Sequence, residues 1–457
     1  MFQRILIANR GEIAVRILRA CRELGVDTVA VYSSADADAL HVQLATQAVC
    51  IGPAKAADSY LNVDALLTVA RQTGCDALHP GYGFLSENAE FAQRCADLEL
   101  TFIGPSGDVI RTMGNKAAAR ALMQSHGVPV VPGSDGPVST AQDAQAVAEA
   151  IGYPVLVKAS AGGGGRGMRR VDRPEDLPAL FQAAQSEAVA CFGNGELYVE
   201  KLILHPRHIE FQILADSQGN VIHLGERDCS IQRKNQKLIE ESPSRALTPQ
   251  LREEMGQAAV RAARAAHYES AGTIEFVLDE DGRFYFIEMN TRIQVEHPVT
   301  EFVTGLDLVR EQLRIAAGLP LSVGQEEVRL SGCAMECRIN AEDPREGFRP
   351  SPGRVEFLHL PGGPGVRVDT ALFSGYQMPP YYDSLCAKVV VWAPTRLEAV
   401  RRMRRALEEL MIQGMVTTAE LCHLILYQPD FVKGQYHTGF LEENLETLMA
   451  WDCGTEG

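Results

Sequence analysis

The first hundred residues alternate between short apolar segments and segments with helical periodicity. Residues 5–8 predict a strand, and residues 12–24 place apolar side chains at the spacing of an amphipathic helix. Gly25 ends that helix, and residues 28–32 predict the next strand. Strands and helices in this order pack as a parallel sheet covered by helices. Because no GxGxxG sequence follows the first strand, a Rossmann dinucleotide site has no support.

Later segments differ from this pattern and divide the chain further. Residues 116–126 predict a helix, and residues 132 to about 200 predict a small module with a glycine loop between two short strands. A strand-rich region follows as far as about residue 395, and residues 396–411 predict another helix. We expect residues 452–457 to be a frayed tail. The sequence therefore predicts a mixed α/β and α+β protein.

Charge and cysteine usage exclude several classes of function. The net charge of −16 disfavours binding to nucleic acid, so an anionic substrate needs a local basic site. The 11 cysteines form no CxxC pair, which disfavours a zinc ribbon and indicates reduced thiols. The chain opens on a predicted strand without a signal peptide, and no apolar run approaches the ~20 residues that span a bilayer. We expect a cytoplasmic protein without a membrane contact.

Four consecutive glycines, residues 162–165, lie between predicted strands at 155–159 and 167–171. Glycines allow backbone N–H groups to close around an anion, and both flanks are strands, unlike those of a P-loop. Four cations accompany the loop: Lys158, Arg166, Arg169 and Arg170. A flexible hairpin tip with solvated charges is the alternative. The apolar approach to Lys158 favours an anion site, because a lysine that ends a buried strand needs an anionic partner.

A second polar cluster alternates with apolar residues between positions 288 and 296. In an extended chain, residues i and i+2 share a face. Five polar residues would then share one face: Glu288, Asn290, Arg292, Gln294 and Glu296. A solvated strand face would give the same alternation. Glu288-x-Asn290, however, places two oxygen ligands together, as magnesium bound to nucleotide phosphates requires.

Glu275 is predicted to join this cluster. Residues 279–282 form a turn sequence that predicts a hairpin, which makes Glu275 and Glu288 cross-strand neighbours. Two adjacent carboxylates repel each other unless cations lie between them. The hairpin therefore predicts a metal site.

Six motifs in these regions closely resemble the signature of biotin carboxylases, in order and over residues 2–447. They are ANRGEIA (8–14), HPGYGFLSEN (79–88), SAGGGGRGM (160–168), ERDCSIQR (226–233), EMNTRIQVEHP (288–298) and PPYYDSL (379–385). The sequence departs from the family at Asn235, where many members have histidine. Asparagine can form hydrogen bonds there but cannot carry a charge.

The resemblance implies an ATP-grasp fold with an N-terminal α/β domain, a small mobile lid and a strand-rich C-terminal domain. The implied divisions are an N-terminal domain (1–114), a linker helix (115–131), the lid (132–202), the ATP-grasp core (203–330), a C-terminal domain (331–447) and a tail (448–457). We expect the glycine loop of this lid, residues 162–165, to be mobile without ATP and ordered over its phosphates.

The resemblance also implies the site residues. ATP would contact Lys116, Lys158, Gly164, Gly165, Met168, Glu200, Lys201, Leu202, Ile203, His208, Gln232, Asn235, Glu275 and Glu288. Two Mg²⁺ or Mn²⁺ ions would bind Glu275, Glu288 and Asn290. Bicarbonate would contact Lys237, Arg292, Gln294, Val295 and Glu296. Biotin would face Tyr82, Glu87 and Arg338.

The implied catalytic residues are Lys237, Arg292, Glu296 and Arg338. Glu296 would remove the bicarbonate proton, and the bicarbonate oxygen would attack the γ-phosphorus of ATP to form carboxyphosphate. Arg292 would hold the anion with its planar fork. Arg338 would stabilise the negative charge that develops on biotin as it is carboxylated.

Partners and alternatives also follow from the resemblance. The sequence contains no Met-Lys-Met tripeptide for biotin attachment, so we expect the biotin carboxyl carrier protein and the carboxyltransferase to be separate chains, and the carboxylase to be a homodimer. Acetyl-CoA is the expected acceptor, with malonyl-CoA supplied to fatty acid synthesis. Pyruvate and propionyl-CoA carboxylases stay open. Another ATP-grasp ligase and a non-catalytic nucleotide-binding module are the rival classes.

Overall fold

The computed structural model describes residues 1–159, 168–192 and 195–450. The predicted parallel sheet of the N-terminal region is confirmed, with strand order β3-β2-β1-β4-β5 and every pairing parallel. Its elements are β1 (Arg4–Ile7), α1 (Gly11–Glu23), β2 (Asp27–Ser33), α2 (Leu40–Leu44), β3 (Gln47–Gly52), α3 (Val63–Gln72), β4 (Ala77–His79), α4 (Ala89–Asp97) and β5 (Thr101–Phe102). The side chains of β1 are buried between helices on the two faces, which explains its apolar sequence.

A small module follows two linking helices, α5 (Gly107–Gly114) and α6 (Lys116–Ser125). The module contains α7 (Ala141–Ile151), β6 (Val155–Ala159), β7 (Met168–Val171), α8 (Leu177–Phe192) and β8 (Leu197–Lys201). Its three strands form an antiparallel sheet in the order β7-β6-β8, and they bury a hydrophobic cluster of their own. The predicted glycine loop, residues 162–165, lies outside the described residues.

The strand-rich region begins with long strands and three intervening helices. Its first part contains β9 (Arg207–Ala215), β10 (Val221–Arg233), β11 (Gln236–Ser242), α9 (Pro249–Ala265), β12 (Ser270–Leu278), β13 (Phe284–Asn290), α10 (His297–Thr304) and α11 (Leu308–Ala316). The predicted hairpin is confirmed as the antiparallel pair of β12 and β13.

The last part of the chain adds shorter strands and the C-terminal helices. They are β14 (Cys333–Asn340), β15 (Glu342–Asp343), β16 (Arg349–Pro350), β17 (Phe357–His359), β18 (Val366–Thr370), β19 (Leu385–Ala393), α12 (Arg396–Glu409), β20 (Met411–Gln413), α13 (Ala419–Ile425), α14 (Pro429–Lys433) and α15 (Phe440–Ala450). Helix α15 continues into the predicted tail, residues 448–457, and ends at Ala450. Leu448, which lies in this continuation, is buried. The remaining tail, residues 451–457, lies outside the described part of the chain.

One antiparallel sheet of eight strands runs through the second half of the molecule, in the order β13-β12-β9-β10-β11-β14-β19-β18. The pairing of β11 with β14 carries this sheet across the boundary predicted between residues 330 and 331. Side chains from distant parts of the sequence therefore reach one surface of the sheet. Among the described helices, none has the length and apolar character needed to cross a membrane.

Candidate active site

A cavity of about 820 Å³ opens over this sheet and is bounded by the N-terminal domain. Most of the residues predicted to bind substrates or metal line it: Tyr82, Lys116, His208, Gln232, Asn235, Lys237, Glu275, Glu288, Asn290, Arg292, Gln294, Val295 and Arg338. Glu296 has no exposed surface and does not line the cavity itself, but it contacts Lys237 and Arg338, which do. The sequence therefore predicted a set of side chains that the fold brings together.

The predicted metal ligands lie on the β12–β13 hairpin. Glu275 and Glu288 are directly opposite one another, as predicted. Asn290 Nδ2 donates to Glu275 Oε1 over 2.9 Å, and Lys116 Nζ lies 3.3 Å from Glu288 Oε2. Carboxylate and amide oxygens are the ligands that Mg²⁺ prefers. The donor set at this end of the cavity therefore fits a divalent cation that also binds phosphates.

The predicted alternation over residues 288–296 is wrong beyond Asn290, where β13 ends. Residues 291–296 form an irregular turn instead, and Glu296 is the N-cap of α10. Pro298 occupies the first turn of that helix, where its missing N–H costs no hydrogen bond. The chain therefore bends at this point, and the turn rather than a strand carries Arg292, Gln294 and Glu296 to the site.

A β-bulge changes which side chains of β13 face the cavity. The register shifts between Glu275 and Phe276, so Ile287 is the extra residue on the opposite strand. Ile287 is 41% exposed and lines the cavity beside Glu288, whereas regular strand alternation would place these two neighbours on opposite faces. An apolar side chain next to the predicted metal ligands suits contact with an aromatic or aliphatic part of a bound molecule.

Lys237 connects three carboxylates beneath the cavity. Its Nζ lies 2.6 Å from Glu210, 3.0 Å from Glu275 and 2.6 Å from Glu296. Burial alone would lower the pKa of Lys237, but the neighbouring Cys229 and the carboxylates raise it well above its ordinary value. The lysine therefore remains charged and connects Glu275, one of the predicted metal ligands, to Glu296.

Two cations hold Glu296 on either side. Lys237 contacts Oε1, and Arg338 Nη2 donates to Oε2 over 2.8 Å. Burial alone would raise the pKa of the Glu296 carboxyl, but Lys237 and Arg338 hold that pKa well below its usual range. Glu296 is therefore ionised at neutral pH and able to accept a proton.

Arg338 is also held from its other edge. Its Nε donates to Glu240 Oε1 over 2.6 Å. Burial raises the pKa of Glu240 to about 7, although Arg338 opposes the shift. One guanidinium therefore bridges two buried carboxyl groups, that of Glu240 on β11 and that of Glu296 at the N-cap of α10.

The remaining predicted biotin residues lie at the N-terminal side of the cavity. The Tyr82 hydroxyl donates to Glu12. Glu87 does not line the cavity but accepts from Arg292 Nε over 2.8 Å and from the Thr291 N–H over 3.1 Å. In this arrangement Glu87 orients Arg292.

The predicted nucleotide residues of the small module stand apart from the cavity: Lys158, Met168, Glu200, Lys201, Leu202 and Ile203 do not line it. Lys158 Nζ lies 2.5 Å from Glu200 Oε2 across neighbouring strands, so the anionic partner it needs is here within the module. The Leu202 N–H donates to the Pro154 carbonyl over 3.1 Å. Gly164 and Gly165 lie outside the described residues.

Sequence reasoning missed several residues of the site. Glu210 contacts Lys237 and Arg227 with no exposed surface, and Glu240 holds Arg338. The alternation of His208 and Glu210 on β9 could have indicated the first of these. Glu240 is followed directly by Glu241 on β11, so that strand shows no alternation of polar and apolar residues at this point and gave no comparable signal.

Family models match nearly the whole chain. Residues 1–110 match "Biotin carboxylase, N-terminal domain", residues 115–323 match "Carbamoyl-phosphate synthase L chain, ATP binding domain" and residues 336–443 match "Biotin carboxylase C-terminal domain". The three matched ranges follow one another along the chain and together cover most of it.

Known proteins resemble the chain over its full length. Biotin carboxylase of Nostoc sp. is 59% identical and covers 97% of this chain and 99% of that protein. One of the pyruvate carboxylase subunits of Methanothermobacter thermautotrophicus is 52% identical over 97% of this chain and 90% of that protein. The biotin carboxylase domain dimer of Hydrogenobacter thermophilus 2-oxoglutarate carboxylase, solved with MgADP, ADP and bicarbonate, has a TM-score of 0.90 at 53% identity and covers 98% of this chain and 99% of that one. The chain therefore belongs to the biotin carboxylase family of ATP-grasp enzymes.

Proposed function

We propose that this chain uses ATP to carboxylate biotin with bicarbonate. The observation that carries the proposal is the contact of Lys237 with both Glu275 and Glu296, which connects a predicted metal ligand to a predicted general base within one cavity. ATP cleavage and bicarbonate deprotonation can then occur side by side, as carboxyphosphate formation requires.

Bicarbonate activation would begin at Glu296. The carboxylate takes the proton from bicarbonate, whose oxygen then attacks the γ-phosphorus of ATP, and ADP leaves. With both cations in contact, Glu296 is a weak base, because its pKa is held low. Bicarbonate that draws Arg338 or Lys237 toward itself would weaken these contacts and make Glu296 more basic.

Carboxylation of biotin would follow in the same cavity. Carboxyphosphate breaks down to CO₂ and phosphate, and the phosphate takes the proton from biotin N1. Arg338 places a fixed positive charge where the biotin oxygen becomes negative, and biotin N1 then attacks CO₂. Arg292 would hold the anion bidentately while Glu87 orients its guanidinium.

Glu275, Glu288 and Asn290 would hold the divalent cations. Bound magnesium or manganese offsets the negative charge of the ATP phosphates. Lys116, which already approaches Glu288, would assist at the same phosphates. His208, Gln232 and Asn235 line the adjacent wall of the cavity and would contact the nucleotide.

The small module would act as a lid over ATP. Lys158 would exchange its contact with Glu200 for a phosphate, and Met168, Gly164 and Gly165 would approach the nucleotide. Glu200, Lys201 and the backbone of Leu202 and Ile203 would meet the adenine. Closure would keep carboxyphosphate away from bulk water.

We further propose that biotin reaches the site on a separate carrier protein, that a separate carboxyltransferase uses the product, and that the chain is a homodimer. A related biotin carboxylase domain forms a dimer. Acetyl-CoA is our preferred final acceptor, as the family resemblance implies. The names of two relatives make pyruvate and 2-oxoglutarate the alternatives to test.

Purified protein, Mg²⁺, ATP, bicarbonate and free biotin test the activity. We expect ADP release that requires bicarbonate and rises with biotin. ADP release that ignores biotin, but rises with some other acid and amine, would indicate an ATP-grasp ligase of another class. For the acceptor, the carrier and carboxyltransferase that co-purify should convert acetyl-CoA. Turnover of pyruvate or 2-oxoglutarate instead would reject that part of the proposal.

A further inference from the structure

Lys388 lies under the active site with no exposed surface, and its ammonium joins separate parts of the chain. Nζ donates to the Val295 carbonyl over 2.9 Å and lies 3.0 Å from Glu12 Oε1. A third group, Asp369 Oδ2, lies 3.9 Å away. Because a lysine is almost never fully buried unless it is paired, these contacts indicate what Lys388 holds in place.

On one side, Lys388 fixes the turn that carries the predicted bicarbonate residues. Val295 lies in the irregular segment 291–296, where no strand or helix constrains the backbone. The Val295 carbonyl and the Glu296 N–H belong to one planar trans peptide and point in opposite directions. Holding the carbonyl therefore sets the direction of the Glu296 N–H and limits the position from which the Glu296 side chain starts.

On the other side, Lys388 reaches the N-terminal domain. Glu12 lies in the first turn of α1, and its Oε1 accepts from both Lys388 and the hydroxyl of Tyr82. Tyr82 follows β4 and lines the cavity. A continuous series of contacts thus runs from Val295 through Lys388 and Glu12 to Tyr82.

The surroundings of Lys388 keep it charged. It lies directly opposite Arg338 on β14 and Asp369 on β18. Burial alone would lower the pKa of Lys388, but Glu12, Glu336 and Asp369 together raise it above its ordinary value. A neutral side chain of the same length would fill the space but could not donate to a carbonyl and a carboxylate at once.

We propose that Lys388 is a positioning residue that couples the bicarbonate and biotin halves of the site, holding the Val295 peptide directly and the Tyr82 hydroxyl through Glu12. The inference rests on the proposed function, because the two halves are defined by it. Lys388 itself does not line the cavity, so its effect on either substrate must pass through these contacts.

Lys388→Met in the full-length chain tests the coupling. We expect the KM values for bicarbonate and for free biotin each to rise about tenfold or more, the usual effect of losing a hydrogen bond to a charged group. The affinity for ADP should stay unchanged. Arg396→Met is the matched control, since Arg396 is also a buried cation that holds carbonyl oxygens and a carboxylate but lies away from the cavity. It should lower the melting temperature and leave both KM values unchanged.

Tyr82→Phe separates the two arms of the series. Alone, it should raise the KM for biotin and leave that for bicarbonate unchanged. Added to Lys388→Met, it should cause no further rise in the KM for biotin, because the same link is already broken. A folded Lys388→Met protein with both KM values unchanged would overturn the proposal. The proposal would also be overturned if the increases in the KM for biotin caused by the two single substitutions multiplied in the double variant.

Glu12→Gln keeps the proposal testable if Lys388→Met does not fold. It removes one charge while leaving polar atoms in place, and we expect a higher KM for biotin with a normal KM for bicarbonate. An unchanged KM for biotin would overturn the proposal. Failure of the proposed function would be recognised differently, because the unsubstituted protein would then lack bicarbonate-dependent ADP release.

Discussion

Glu296→Gln removes the predicted general base while preserving the shape of the side chain. Glu296 is fully buried, 2.6 Å from Lys237 and 2.8 Å from Arg338, so its replacement must be judged by what happens to these two cations. Lys237 keeps Glu210 and Glu275 as partners, and Arg338 keeps Glu240. Because neither cation is left unpaired, we expect the fold to survive, with a cost below the ~3–5 kcal/mol of a broken buried pair.

The activity should respond very differently from the fold. A positioned general base contributes about 10²–10⁴-fold to a rate, and the amide of glutamine cannot accept the bicarbonate proton. We therefore expect bicarbonate-dependent ADP release by Glu296→Gln to fall by about 10²–10⁴-fold, both with and without biotin. The assay is steady-state ADP release at saturating ATP and Mg²⁺, with circular dichroism and thermal melting to verify the fold.

Arg338→Gln is the comparison that makes the result specific. It should retain part of the bicarbonate-dependent ADP release, because Glu296 keeps Lys237, but lose carboxybiotin formation by ~10²–10³-fold. The contact between Arg338 and Glu296 was not foreseen, and it predicts in addition that the pKa of Glu296 rises in this variant. A Glu296→Gln protein that kept a tenth or more of its ADP release would refute the assignment of the base. Equal loss of both activities in Arg338→Gln would refute the division of roles.

Two further predictions concern metal and pH. Glu288→Gln should remove most ATP turnover and leave the fold intact, because Glu288 faces Glu275 across the hairpin and removing either ligand weakens metal binding; near-normal turnover at limiting Mg²⁺ would contradict this. His41 is buried, and burial lowers its pKa from 6.5 to about 4. In the unfolded chain His41 is therefore protonated below pH 6.5, whereas in the folded chain it is protonated only below about pH 4. His41 should therefore stabilise the fold above pH 6.5, and about 2 kcal/mol should be lost between pH 7 and pH 5. The free energy of unfolding, measured with urea at pH 7 and pH 5, should fall less in His41→Asn than in the unsubstituted protein by that amount. If it fell equally in both proteins, His41 would be excluded as the cause of the loss.

Local patterns were sufficient to predict the hairpin that carries Glu275 and Glu288 but not the turn beside it. The turn residues 279–282 and the alternation on each flank predict the hairpin, so the proximity of Glu275 and Glu288 follows from the sequence. Their direct pairing depends on the bulge at Ile287, because the register next to the turn would otherwise place Glu275 opposite Ile287. The same alternation continues past Asn290 in the sequence, whereas the strand does not. Pairing with a neighbour ends there, and alternation by itself contains no information about where a partner strand stops.

Contacts between distant segments were beyond sequence reasoning. Arg292 and Glu87 are 205 positions apart, and Arg338 and Glu240 are 98 apart. Each pair depends on the order of strands or the packing of domains, which charge patterns along the chain do not encode. The family resemblance implied a set of site residues, but not that Lys237 and Arg338 both contact Glu296.

The central claim is that bicarbonate attacks ATP directly, and isotope transfer from ¹⁸O-labelled bicarbonate tests it most directly. The purified protein would be incubated with labelled bicarbonate, ATP, Mg²⁺ and free biotin, and the phosphate released would be analysed by mass spectrometry. If carboxyphosphate forms, one bicarbonate oxygen remains on phosphorus when CO₂ leaves, so each phosphate should carry one ¹⁸O. Phosphate released without label, alongside normal carboxylation of biotin, would contradict the account.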